Sequence, residues 1–422
     1  MLQLNKNITQ LKPSATLAIN QKVKALRQEG ETVYHFGFGQ SPFKIHRSIT
    51  EELKLYVDDN KYLPSAGLPE LKESISSFLL NYQGLNFDSD SIFIGPGSKE
   101  LLFQIIYSLE GMFLIPQGSW VSYLPQIRSK NAEFKIIETE FLNNYKLKAT
   151  ELELSCKNIN MQKTLILNSP NNPTGAVYNK TELEELAQVC KKHNIIVLSD
   201  EIYSQINFFA KYAPSIANYY SERTIVFGGL SKVFSAGGYR LGFSAIPKAM
   251  KELYQPLQSF FSETFSAVSS PIQYAAIKAY QMDPDLQNYT RTCSNILKEV
   301  GRFVFNKLEN INIKCTEPQG AFYMIVDFEK FRSKLKTIGI FNAIDLCHYL
   351  LQNYKIALLP GQDFYFDESS LTCRLAFVDF DGEVVYDKYK QNDNLINSSF
   401  ITTYMPSITD GIDKLETFLS KI

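Results

Sequence analysis

Residues 225–243 read IVFGGLSKVFSAGGYRLGF. An apolar, β-branched run from Thr224 to Phe227 breaks at Gly228-Gly229, and Lys232 follows in a loop of small residues. Gly237-Gly238 turns the chain again, and Arg240 stands just beyond. A strand that ends in glycines and presents one amine reads as a place where backbone crowds a ligand. The amine suits Schiff-base formation, and the arginine suits a phosphate dianion. Taken alone, the stretch fits a surface loop with two ordinary cations equally well.

The same grammar recurs outward from this stretch. Ile92–Ile94 is a short apolar strand; GPGSKE turns the chain, and a helix is expected over Leu101–Leu109. The free N–H groups of Gly97, Ser98 and Lys99 at its start form a natural anion site. Met112–Ile115 runs into PQGSWVSYLP, which carries the only tryptophan, Trp120. TLILN (164–168) runs into SPNNPTG, and Ile195–Leu198 ends at Ser199-Asp200-Glu201. The run TELE (181–184) reads as a capping-box helix start. Short apolar strands alternating with helices predict a parallel sheet covered on both faces, with ligands beyond the carboxyl ends of the strands. Ser98, Trp120, Asn172, Asp200 and Lys232 all fall just after strands.

The remaining chain gives the boundaries. Helices are expected over 17–29 and 48–57 and from Pro69, with a strand over Val33–Phe38. From about Asp283 a long helical stretch precedes strands over 320–328 and 373–380, which reads as a second α+β domain. The division is 1–47 as an N-terminal arm with part of the small domain, 48–285 as the large domain and 286–422 as the small domain. Residues 381–407 show no period and read as an atypical loop or insertion.

Bulk properties exclude several classes. A net charge of −1 leaves no electrostatic footprint for nucleic acid or a membrane surface. The four histidines and six cysteines are scattered without metal-ligand spacing, so no metal is expected. Scattered cysteines fit a reducing compartment, and neither a secretory segment nor a membrane span is evident. A cytoplasmic protein is expected.

The stretches KPSAT, YLPSAGLPELKESI, GPGSKELLF, QGSWVSYLP, NSPNNPTG, LSDEIYS, GLSKVFSAGGYRLGF, GAFY, LLPG and CRLAF, in this order, resemble the class I/II aminotransferases. These are pyridoxal-phosphate enzymes of fold type I. The chain is most similar to the bacterial-type aspartate aminotransferase subgroup. The resemblance implies an α/β fold: a large domain with a mainly parallel seven-stranded sheet between helices, and a smaller α+β domain. It implies Lys232 as the covalent attachment point and proton carrier, Asp200 as partner of the pyridine N–H, and Tyr203 and Asn172 as donors to the cofactor's 3-hydroxyl oxygen. Trp120 would stack on the ring. Gly97, Ser98, Lys99, Ser231 and Arg240 would hold the phosphate, joined by Tyr62 from the other subunit of a homodimer. Arg374 and the Gly39 N–H would grip the substrate α-carboxylate. Lys99 would recognise a distal carboxylate, with Ser14 and Thr16 at the same end. A cis bond is implied at Asn172–Pro173.

The activity implied is transfer of an amino group from an L-amino acid, best aspartate, to 2-oxoglutarate by a ping-pong mechanism. Transfer from aromatic or other amino acids, or C–S β-lysis on the same scaffold, are the alternatives. Gly229 departs from the family pattern, which commonly has a phosphate-touching serine or threonine there. GFGQSPF (37–43) and SAGGY (235–239) also depart from it, close to the substrate.

Overall fold

A computed structural model describes residues 2–422. Its main sheet has seven strands: β2 (Ile92–Gly95), β3 (Met112–Pro116), β4 (Glu133–Ile137), β5 (Lys163–Asn168), β6 (Ile196–Asp200), β7 (Thr224–Gly229) and β8 (Gly242–Ala245). The order is β2-β8-β7-β6-β5-β3-β4. Only β8 runs against the others. The strands β2, β5, β6, β7 and β8 are buried throughout, which is why their sequences are continuous apolar runs rather than alternating ones. Edge strand β4, EFKII, does alternate exposed with half-buried positions, and its charged residues hid it from a search for apolar runs.

The smaller domain holds a second sheet of β9 (Lys314–Cys315), β10 (Tyr323–Asp327), β12 (Leu359–Pro360) and β13 (Thr372–Ala376), in the order β12-β13-β10-β9 and antiparallel. The N-terminal strand β1 (Tyr34–His35) pairs in parallel with β11 (Ile356–Ala357). A helix of 27 residues, Pro284–Asn310, packs against β9 and the C-terminal helix Pro406–Ser420.

Three expectations need correction. Residues 381–407 are not a loop: Gly382–Gln391 and Ser398–Tyr404 are helices, capped by Asp381 and Asn397. Their few inward residues, Val385, Tyr389, Phe400 and Ile401, are buried, but the polar joint between them breaks any sequence period. The capping box belongs to Asn179 and Glu182, not to Thr181: Asn179 accepts from Glu182 N–H, and Glu182 accepts from Asn179 N–H. The cis peptide lies at Ser169–Pro170 rather than Asn172–Pro173; Pro170 is the proline packed against Gly320.

Candidate active site

The carboxyl ends of the parallel strands open onto a cavity of about 490 Å³. It is lined by Thr16, Gly39, Ser98, Lys99, Trp120, Asn172, Asp200, Tyr203, Ser231, Lys232, Arg240 and Arg374, so nearly all residues singled out in the sequence meet here. Because β8 is antiparallel, its start rather than its end lies at this face, and that brings in Arg240. Arg240 has a left-handed backbone (φ 52°), an uncommon conformation for a side chain of this size. Its guanidinium donates to Pro96 O (3.1 Å), to Gly237 O (3.0 Å) and, at 3.5 Å, to Ser231 Oγ. Tyr62 is 93% exposed and does not line the cavity of its own chain.

The helix Ser98–Ser108 begins at this face. Its N-cap is Gly97, with φ 89° and no capping side chain. The approach is tight: a Cβ on Gly97 would lie 2.4 Å from Arg240 Nη2, and one on Gly242 would lie 2.3 Å from the Ser98 nitrogen. Uncapped N–H groups, the helix dipole and an arginine together form an anion cradle. The glycines of Gly228-Gly229 have a different cause from the ligand crowding expected of them. A Cβ on Gly228 would strike the Phe243 ring at 2.5 Å, and one on Gly229 would come within 2.9 Å of Leu241 O. They admit β8, and Gly229 lacks a hydroxyl because the crossing chain fills its place.

Asp200, at the end of β6, is buried. Its carboxylate accepts from the Tyr123 hydroxyl (2.7 Å) and more distantly from Ile202 N–H (3.3 Å), and it has no cation partner among the described residues. Burial pushes its pKa up; the Tyr123 and Ile202 bonds and the Lys232 charge oppose that. Lys232 Nζ donates to Gly39 O at 2.7 Å. Burial of its amine, then the charges of Arg374 and Arg240, lower its pKa to about 8, against Asp200.

Arg374, on β13, is fully buried. Nη1 donates to Asn172 Oδ1 (3.0 Å) and Nη2 to Gly37 O (2.6 Å), while Nε has no partner. Its guanidinium lies over the Tyr323 ring, 4.7 Å from the centroid. The Tyr323 hydroxyl is 2.8 Å from that of Tyr203. A Cβ on Gly39 would lie 2.0 Å from the Tyr323 hydroxyl, so only glycine fits there. Gly39 turns its carbonyl to the site, where it accepts from Lys232. Lys99 Nζ stands 5.1 Å from the centroid of Trp120 and forms no ion pair among the described residues. Burial, then Arg240, lower its pKa. Thr16 Oγ1 is buried without a partner.

A family model described as aminotransferase class I and II matches residues 32–379. The chain belongs to this family. The aspartate aminotransferase of Geobacillus stearothermophilus is 32% identical over 372 residues, 86% of this chain and 92% of that one. The aspartate aminotransferase of Bacillus subtilis is 31% identical over 375 residues, with the same coverage. Among solved structures, an aspartate aminotransferase of Thermus thermophilus with maleate superposes with a TM-score of 0.85 at 23% identity, covering 99% of this chain and all of that one. The protein is thus a transaminase of fold type I.

Two residues of this aminotransferase's site escaped sequence reasoning. Tyr123 stands three places after Trp120, at the start of the helix Tyr123–Ser129, and Tyr323 ends the quoted GAFY motif. Both signals were present, but neither says which hydroxyl meets which partner.

Proposed function

We propose that this transaminase holds pyridoxal 5'-phosphate and moves the amino group of aspartate to 2-oxoglutarate in two half-reactions. The residues fit the cofactor: an uncapped helix start beside Arg240 for its phosphate, a buried carboxylate without a cation for its ring nitrogen, and an amine of lowered pKa between them. A cavity of this size suits a small-molecule ligand. When bound, the cofactor supplies an electron sink for charge developing at the substrate α-carbon.

The chain's own groups do the rest. Asp200, whose ionised form the Tyr123 bond favours, would hold the ring nitrogen protonated. Asn172 gives its amide oxygen to Arg374, which leaves its N–H₂ free to donate to the 3-hydroxyl oxygen beside Tyr203. Lys232 Nζ would be the attachment point, and as a free amine would carry the proton to and from the α-carbon. Trp120 covers one wall. Arg374 takes the α-carboxylate, with its unpartnered Nε and the second hydrogens of Nη1 and Nη2 left to donate. Tyr62 serves the phosphate of a partner subunit; Leu55, Val57 and Tyr62, all exposed on one chain segment, support a homodimer.

The observation that carries aspartate is Lys99: a partly buried ammonium beside Trp120, in the same cavity as Arg374, with no carboxylate among the described residues to pair it. A substrate with a second carboxylate supplies one. The test is a screen of amino donors with 2-oxoglutarate, repeated with Lys99→Leu. A charged contact of about 1.5–3 kcal/mol predicts that kcat/KM for aspartate falls about 10–150-fold, and that an apolar donor changes far less. Equal loss on both removes Lys99 from substrate recognition.

A further inference from the structure

A second, smaller cavity of about 20 Å³ shares only Ile202 with the substrate cavity. Three residues that line it each hold a buried polar atom without a partner: Gln83 Oε1, Glu201 Oε2 and the Tyr280 hydroxyl. They come from separate parts of the chain. Gln83 ends a π-helical turn, Leu79–Gln83, closed by Gly84 in the left-handed conformation. Tyr280 belongs to the helix Ser270–Gln281 and is held edge-on by Phe78, Phe234 and Phe243, at 5.4, 5.6 and 5.6 Å between centroids. Glu201 directly follows Asp200. Gly228 and Gly229, just before Lys232, form another wall.

Buried polar atoms are nearly always satisfied, by protein or by ordered water. A site of this size, lined by three residues that each hold an unpartnered polar atom, meets the requirements for one water molecule, which needs roughly 10–15 Å³ and two to four partners. We propose that this cavity is a water site, its water bound by Glu201, Tyr280 and Gln83, and that Glu201 acts from it as a positioning residue for Asp200.

The two carboxyl oxygens of Glu201 have different surroundings. Glu201 Oε1 accepts from the Ser199 hydroxyl (2.8 Å) and the Ser215 hydroxyl (2.5 Å). Its own N–H donates to Phe227 O at 2.9 Å, which ties it to β7. No lysine, arginine or histidine lines the cavity. In its protonated form the acid carries the proton on Oε2 and donates it to the water; the Tyr280 hydroxyl donates to the same water, which in turn donates to Gln83 Oε1. Burial, with the nearby Asp200 charge, raises this acid to about 7. Fixed at both oxygens, Glu201 holds the peptide that carries Asp200 against the strand leading to Lys232.

The test begins with crystal structures of the full chain with and without cofactor, at a resolution that orders water. One water within hydrogen-bond distance of all three groups is expected in both. A dry cavity, or Gln83 paired directly to Tyr280, overturns the water site. Infrared difference spectra of the cofactor-free protein at pH 6, wild type against Glu201→Gln, should show the carbonyl band of a protonated acid; its absence overturns the neutral assignment. These two measurements do not depend on the function proposed above, whereas the positioning role rests on it. For that role the readout is the pH titration of the bound cofactor's absorbance. Glu201→Gln, which keeps both contacts, should titrate as wild type. Glu201→Leu should shift the midpoint by about one pH unit. Should the leucine variant not fold, Tyr280→Phe removes one water partner and should lower the water's occupancy. A leucine variant that titrates as wild type, or a Tyr280→Phe cavity with undiminished water, contradicts the proposal.

Discussion

Replacing Tyr123 by phenylalanine isolates the bond that holds Asp200. The phenol is fully buried and donates at 2.7 Å to a carboxylate that is itself buried. Phenylalanine fills the same space against Trp120, so packing is preserved and one charge-assisted hydrogen bond is lost. Such bonds contribute about 1.5–3 kcal/mol. Ile202 N–H, at 3.3 Å on the other oxygen, is too long to compensate. The pH dependence has a definite sign. Asp200's folded pKa lies above its unfolded value, so the ionised form is the costly one in the cofactor-free fold, and stability falls as pH rises through that raised value. Removing a bond that lowers the pKa raises it further and deepens the loss on the alkaline side. Urea unfolding of the cofactor-free protein at pH 8, at fixed protein concentration, should therefore show a deficit of about 2 kcal/mol. In an Asp200→Asn background the same change should cost about 1 kcal/mol, giving measurable coupling in a double-mutant cycle. A deficit below about 0.5 kcal/mol, or no coupling with Asp200→Asn, refutes an ionised Asp200 stabilised by Tyr123.

Gly39→Ala places a methyl 2.0 Å from the Tyr323 hydroxyl, so it should displace the loop and lower kcat/KM at least about 100-fold, a change on the order of 3 kcal/mol, read by steady-state kinetics. Arg374→Lys loses the planar fork and the stacking on Tyr323; KM for every amino donor should rise, by about 10–100-fold, whatever its side chain. Attachment of pyridoxal phosphate to the cofactor-free protein requires the neutral form of Lys232. Its rate should rise with pH to a plateau above about 8, because the folded pKa is lowered to that value; stopped-flow absorbance follows it, and a midpoint near 10 would contradict the desolvated amine.

The parallel strands other than edge strand β4 were legible because burial on both faces demands continuous apolar residues, and each run ended in a recognisable turn. The residues at those ends were legible for the same reason, since strand ends of one sheet share one face. What depends on contacts between distant segments was not. Tyr123 meeting Asp200, Tyr323 meeting Tyr203, and Glu201 sharing a cavity with Tyr280 and Gln83 are separated by tens to hundreds of residues, and no local pattern encodes them. The cause of Gly228-Gly229 was hidden likewise: a glycine announces close approach but not whether a ligand or, as here, Phe243 and Leu241 make it. The helices of 382–391 and 398–404 escaped because each buries only a couple of residues, too few for a period to emerge.

The central claim is that Lys232, Asp200, Arg374 and Lys99 together make a half-reaction with a dicarboxylic amino acid possible. Mixing the cofactor-loaded protein with aspartate alone tests it most directly. About one equivalent of oxaloacetate per active site should appear, with a single change in the cofactor's absorbance and no further product until 2-oxoglutarate is added. Lys232→Ala should release none. Continuous release of keto acid and ammonia without an acceptor, or an absorbance unchanged by aspartate, would contradict the account.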